Sequence, residues 1–260
     1  MWNAAGQRLA CGETPHDLRT EQECLPLPMV ERNGIRLNVE IAGSGPPLLL
    51  IPGLGLAASE CRPLTRALAG HCQVICIDNR GAGLSDKPDE PYTVGMMAED
   101  ASGVLRALGI PAAHVLGMSM GGKIAIALAL QQPSQVLSLV LASTQAKPPS
   151  AAQGRRVGFL IGLTRLFETS EAYQGRERQR KASHAFDAWD RLGEIRSPTL
   201  VLHGRSDRVA SFALAREMHG RIVGSKFLGF PGGHMFLFVR PAQFTAAVVD
   251  FIASLDQPTP

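Results

Sequence analysis

A chain of 260 residues with 26 basic and 23 acidic side chains has a net charge of only +3, so nothing in its charge demands a nucleic-acid partner. Hydrophobic residues make up 45% and charged ones 19%, enough to bury a substantial core in one large α/β domain and too unbiased for a disordered chain. No apolar run approaches the roughly 18 residues of a membrane span, and no basic region followed by an apolar stretch marks a secretory signal. Cys11, Cys24, Cys61, Cys72 and Cys76 form an odd, irregularly spaced set. They read as free thiols in a reducing compartment, with the cytoplasm as the expected location and neither a disulfide framework nor a metal site.

Residues 1–28 mix charges, prolines and small residues without period and are expected to form a flexible leader. Residues 30–42 alternate around Asn33-Gly34, a hairpin dipeptide. Residues 48–51 (Leu-Leu-Leu-Ile) read as a buried strand that ends in Pro52-Gly53-Leu54-Gly55. A helix near 60–69, a strand over 74–77, a loop over 78–85 and a helix over 94–108 follow. The next strand ends at Val115-Leu116, a helix covers 123–131, and 136–142 is another buried strand. The rhythm fails between Ser143 and Arg196, where two helical patterns stand. One carries Phe159/Leu160, Leu163 and Leu166/Phe167 on one face; the other carries Ala182, Phe186, Trp189 and Leu192. It resumes with strands at 199–202 and 226–230 and helices at 212–219 and 241–255. This alternation predicts a mostly parallel, twisted, eight-stranded sheet with helices on both faces. Residues 29–143 and 196–257 would form that core, and 144–195 a short helical lid over the strand ends, where open α/β sheets place ligands.

The stretch that organises the chain is Gly117-Met118-Ser119-Met120-Gly121-Gly122, between an apolar run and an Ala/Leu/Ile-rich helical pattern. A strand turning directly into a helix forces strained backbone and crowded neighbours, which glycines without a Cβ permit. Ser119 then stands at the positive end of a helix, as a nucleophile elbow does. A serine hydroxyl needs a base. His234, in the Gly-rich loop before the last helix, is placed to swing over the sheet; His203 follows a strand but is expected to pack or hydrogen-bond near the acid loop. The other histidines lie in buried or surface-like contexts. Asp207, after the penultimate strand, is the carboxylate positioned to orient His234. Ser143-Thr144 offers no carboxylate at the alternative acid position. The backbone N–H groups of Met120 and Leu54 are the expected oxyanion donors. Leu54, Met118, Trp189, Met235 and Phe236 are the expected pocket walls.

On these residues the chain resembles the α/β-hydrolase superfamily over residues 29–255. Gly-Met-Ser-Met-Gly-Gly resembles its nucleophile motif, Asp78-x-Arg80-Gly81-x-Gly83-x-Ser85 its loop after the fourth strand, and Leu202-His203-Gly204-x-x-Asp207 its acid loop. Within the superfamily it is most similar to the branch of esterases, 3-oxoadipate enol-lactonases and polyketide methylesterases. The resemblance implies hydrolysis of a small-molecule ester or lactone with no cofactor. A serine nucleophile argues against the dehalogenases and epoxide hydrolases of this fold, which use Asp there. Thioester cleavage, carbon–carbon hydrolysis, acyl transfer and perhydrolysis would use the same three residues. A non-catalytic binding protein of this fold would be expected to have lost one of them, and none is lost.

Two features depart from the branch. Pro52 replaces the usual His of the oxyanion loop, and the lid is short, which implies a wider mouth and a bulky acyl substrate, or closure by the leader or a second subunit. Between Thr144 and Glu194 nine basic residues face six acidic ones, the chain's whole net excess. The run at 176–181 would attract an anionic substrate or an acyl-carrier protein, or form a solvated helix face. A homo-oligomer is left open.

Overall fold

Short Val/Ile/Leu runs bounded by Gly, Pro or Asp satisfy their backbone only by pairing. In the computed structural model, which describes residues 29–32, 34–164 and 168–255, they do so in chain order. The strands are β1 (Val30–Arg32), β2 (Ile35–Leu37), β3 (Val39–Ala42), β4 (Pro47–Ile51), β5 (Gln73–Ile77), β6 (Ala113–Met118), β7 (Val136–Ala142), β8 (Thr199–Gly204) and β9 (Lys226–Phe230). Seven of them form a sheet in the order β3-β5-β4-β6-β7-β8-β9. Only β3 runs antiparallel to its neighbour; the other pairings are parallel.

The expected eighth strand is missing from this sheet, because β1 and β2 pair antiparallel with each other as a separate ribbon. Asn38 explains the break. It is the single residue between β2 and β3, and its N–H is donated to Ser85 Oγ (2.9 Å) and its side-chain amide to Asp78 (3.0 Å) instead of continuing a ladder. The expected leader 1–28 and Asn33 lie outside the described residues.

Helices cover both faces. On one, α2 (Val94–Ala107), α3 (Met120–Gln131) and α6 (Phe212–Arg221) bury Met97, Val104, Ile124, Leu128 and Met218 against the sheet. On the other, α1 (Arg62–Ala69) and α8 (Pro241–Ala253) bury Leu64, Leu68, Phe244 and Val248. Truncating any of these large side chains to alanine would cost about 2–5 kcal/mol. Cys61, Cys72 and Cys76 are buried free thiols; Cys11 and Cys24 lie outside the described residues. No helix of the described residues is long and apolar enough to cross a membrane.

Between β7 and β8 stand α4 (Ala151–Thr164), α5 (Ser170–Ala185) and a 3₁₀ turn over Trp189–Glu194. The apolar face expected on the first helix falls on side chains outside the described residues. The second helix is displaced from expectation. It runs through the charged stretch and stops at Ala185, so Phe186 is extended and Trp189 and Leu192 sit in the 3₁₀ turn. Good helix formers (Glu, Gln, Arg, Lys, Ala) decide here, with Thr169 capping the first turn by accepting from the Ala172 N–H. The apolar spacing of 182, 186 and 189 misled because it belongs to the exit from the helix.

Candidate active site

Parallel strands β6, β7, β8 and β9 end on one edge, and the loops there bring together residues far apart in sequence. β6 ends at Met118 and α3 begins at Met120, so a single residue makes the turn. Ser119 adopts φ 55° and ψ −116°, a conformation that costs an L-residue on the order of 1–3 kcal/mol and persists only when neighbours enforce it. They do. The Ser119 N–H is donated to Ala142 O (2.9 Å), and its carbonyl accepts from the Gly122 N–H (3.0 Å) and the Thr144 hydroxyl (2.7 Å). Any Cβ on Gly121 would collide with the carbonyl oxygens of Ile51 and Pro52, so glycine is what lets α3 approach β4 so closely.

The Ser119 hydroxyl lies 2.9 Å from His234 Nε2, and His234 Nδ1 lies 2.8 Å from Asp207 Oδ2. The loop after β9 is held from the neighbouring strand end: Ser143, itself at φ 49°, donates its hydroxyl to the His234 carbonyl (2.8 Å). Asp207 Oδ1 accepts from the N–H groups of Val209 (2.8 Å) and Ala210 (3.0 Å). Burial pushes the Asp207 carboxyl up, but hydrogen bonds from His203 and His234, the His234 charge and the Ala210 N–H outweigh it. The net shift is well below the usual carboxylate range, so Asp207 stays ionised. His203 is fully buried with Nε2 3.3 Å from Asp207 Oδ2, as expected of a residue near the acid loop. Its Nδ1 is buried without a partner, consistent with Nε2 carrying the proton toward Asp207.

A cavity of about 300 Å³ opens beside Ser119. Leu54, Met118, Met120 and Met235 line it. Met120 is the first residue of α3, so its N–H has no acceptor within the helix. Two expected walls are elsewhere. Trp189 is buried away from the cavity, sandwiched by Lys147 (4.1 Å from the ring centroid) and Arg221 (4.7 Å), a cation–π pairing that fixes it in the core. Phe236 stacks on Phe230 (4.8 Å) and meets Phe244 edge-on in the core shared with α8, because α7 (Phe236–Val239) turns it inward.

Three charged or titratable side chains were missed as wall residues: Lys123, Arg176 and His184. His184 was expected in a surface-like context, and its pKa is lowered by burial and then by the Arg180 and Lys123 cations. Burial lowers Lys123 to about 8 against a slight opposing pull from Asp187. A signal for Lys123 was present: it is the one charged residue in an otherwise apolar helix, four positions after Ser119.

α5 lies across the cavity. The buried Gln179 accepts from the Gly55 N–H (2.8 Å) and donates to the Arg80 carbonyl (2.7 Å), and Gly175 abuts the Gly81 backbone. This close seating gives a cavity at the lower end of small-molecule sites, against the expectation of a bulky substrate. The basic run is largely spent on ion pairs, Arg176 with Glu168, Arg178 with Asp89 and Arg180 with Glu177, so it is neither a bare solvated face nor a concentrated positive patch for an acyl-carrier protein. Among the described residues no group of three or more His, Cys, Asp or Glu side chains could hold a metal ion.

The sheet order, the strand–Ser119–helix turn and the site at the strand ends are those of the α/β-hydrolase superfamily, to which this chain belongs. The family profile described as alpha/beta hydrolase fold matches residues 46–165. RutD of Azorhizobium caulinodans, assigned as a carbamate hydrolase, is 29% identical over 89% of this chain and 100% of its own length. The 2-hydroxymuconate semialdehyde hydrolase of Pseudomonas sp. CF600 is 29% identical over 86% of this chain and 92% of its own. Among solved structures, the enol-lactonase from Burkholderia xenovorans LB400 superposes with a TM-score of 0.75 at 26% identity, covering 85% of this chain and 98% of that one. The protein is a hydrolase of the α/β-hydrolase type.

Proposed function

We propose that the protein is a serine hydrolase of carboxylic esters or lactones that works through an acyl-enzyme. The observation that carries this reading is the unbroken hydrogen-bond chain from Ser119 through His234 to a carboxylate kept ionised by its surroundings. In this reading His234 Nε2 takes the Ser119 proton as the oxygen attacks the carbonyl carbon, and Asp207 stabilises the imidazolium that forms. The N–H groups of Met120 and Leu54 receive the developing oxyanion, each worth about 3 kcal/mol of barrier. His234 then protonates the leaving oxygen, and water, activated by the same imidazole, releases the acid. Residues 144–195 act as the lid, with α5 the part that limits substrate size. The relatives named for carbamate and semialdehyde hydrolysis favour a second reading: the same three residues act on a C–N or C–C bond. Both readings require a nucleophilic Ser119.

A fluorophosphonate probe tests that requirement. Stoichiometric labelling is expected, with loss of labelling in Ser119→Ala. Folded wild-type protein that takes no label would overturn both readings. Parallel turnover of p-nitrophenyl esters, lactones and carbamates separates them.

A further inference from the structure

Lys123 is the fourth residue of α3 and follows Ser119, the non-helical residue at the start of that helix, by four positions; both line the same cavity. Helical side chains lean toward the N-terminus, so the lysine reaches back to the cavity that Ser119 borders, and it is only 5% exposed. Its ammonium donates to the Ser183 carbonyl (2.6 Å) and, at a long 3.4 Å, to the Lys147 carbonyl. Among the described residues no carboxylate lies at ion-pair distance from it, and neither Asp nor Glu lines the cavity. Arg176, on the same wall, already pairs with Glu168.

This is a costly place for a cation. It is desolvated, and it stands within about one turn of the positive end of α3. The lowering of its pKa by burial is the signature of a charge without a full counter-charge. An anion in the cavity would reverse each term: it would neutralise the ammonium and meet the positive end of the helix as well. His184 from α5 and Asp187 beyond it interact with Lys123, Arg180 stands beside His184, and Arg176 and His234 line the same cavity. Asp187 is the one acid in that set, and it lies outside the wall.

We propose that Lys123 is an anion subsite and that the substrate carries a carboxylate a few carbons from the bond that is cleaved. The proposal deepens the hydrolase reading above and rests on it for the word substrate. Its competitor is purely mechanical: a lysine that latches α3 to α5 through the Ser183 carbonyl.

Matched ester pairs separate the two. In one pair the charge is on the acyl side, p-nitrophenyl hemiglutarate against p-nitrophenyl hexanoate. In the other it is on the alcohol side, 4-acetoxybutanoate against pentyl acetate. Wild-type protein is expected to prefer the anionic member of at least one pair in kcat/KM, and Lys123→Met to lower that preference tenfold or more, the loss of a charge-assisted hydrogen bond. A preference that changes less than twofold in both pairs would make Lys123 a latch and sink the subsite. Glutarate supplies a readout that needs no turnover. It is expected to raise the Tm of wild-type protein, while 1,5-pentanediol at the same concentration does not, and the shift is expected to vanish in Lys123→Met. A protein that takes no fluorophosphonate yet shows this shift loses the hydrolase reading and keeps the subsite. Labelling with no glutarate shift and no ester preference keeps the hydrolase and removes the subsite.

Discussion

The floor of the cavity and its roof are held by different forces. The floor consists of strand ends: Ser119, Asp207 and His234 hang from β6, β8 and β9, whose ladders and apolar faces fix them to the core. The roof is α5, a polar helix with few buried residues, seated by Gln179, by the contact of Gly175 with Gly81, and by ion pairs. The ladder gives the floor many cooperative bonds, each of which supports the next. The roof depends on a handful of separate contacts, so it is the part drawn from the low-stability end of the molecule. In the function proposed above, a floor that positions reacting atoms and a roof that sets what enters can therefore change independently.

The largest expected effect breaks the floor without disturbing its packing. Asn at 207 can still accept from the Val209 and Ala210 N–H groups through its amide oxygen. Its NH₂ would face His234 Nδ1, where the imidazole now needs to donate, so the ring is driven into the wrong tautomer. Asp207→Asn is expected to lower kcat on p-nitrophenyl butyrate on the order of 10⁴-fold with little change in Tm. Turnover within tenfold of wild type would mean that Asp207 does not orient the base.

The next effect lies at the seam between floor and roof. Lys123 falls from its ordinary 10.5 to about 8 in the fold. Between those values the unfolded chain binds a proton that the folded protein has released, so stability climbs with pH across that window. Below pH 8 the buried ammonium costs about 3 kcal/mol. The stability gap between Lys123→Met and wild type is therefore expected to move by about 2 kcal/mol in favour of wild type between pH 7 and pH 9.5 in urea unfolding. A gap that stays constant with pH would show that the ammonium is not penalised. A stability cost of this size fits a residue kept for binding, as in many functional sites.

Floor and roof also differed in how far the sequence disclosed them. Strands over 48–51, 74–77, 136–142 and 226–230 were legible because short apolar runs ended by Pro, Asp or Ser have few other ways to satisfy their backbone. Ser119, His234 and Asp207 were legible because strand-end loops of a parallel sheet must meet on one edge. What escaped was decided by single polar atoms. The separation of β1 and β2 from the sheet turns on where Asn38 sends its N–H. The start and end of α5 turn on Thr169 and on charged helix formers with no apolar period to betray them. Phe236 and Trp189 were misassigned because an aromatic residue near a site reads the same whether it faces the cavity or the core, and only packing against Phe230 or Lys147 decides. Lys123 went unremarked as a wall residue because the stretch reads first as a buried helix.

The smallest expected effect sharpens what holds the roof. Gln179 is fully buried, and its amide joins the loop after β4 to the loop after β5 through Gly55 and Arg80. Gln179→Ala leaves a half-buried N–H and a buried carbonyl without partners, at about 1–3 kcal/mol. Because α5 adds little to the sheet core, that cost should fall on local opening, with global unfolding almost unaffected. Amides of α5 are then expected to exchange roughly 10- to 30-fold faster while those of β6 and β7 keep their protection. Gln179→Glu discriminates further: its carboxylate can still accept from Gly55 N–H but would repel the Arg80 carbonyl, so it should loosen the helix at least as much. If both variants leave α5 exchange unchanged, the ion pairs and the Gly175–Gly81 contact carry the roof alone, and the contrast between a ladder-built floor and a glutamine-seated roof fails at that point.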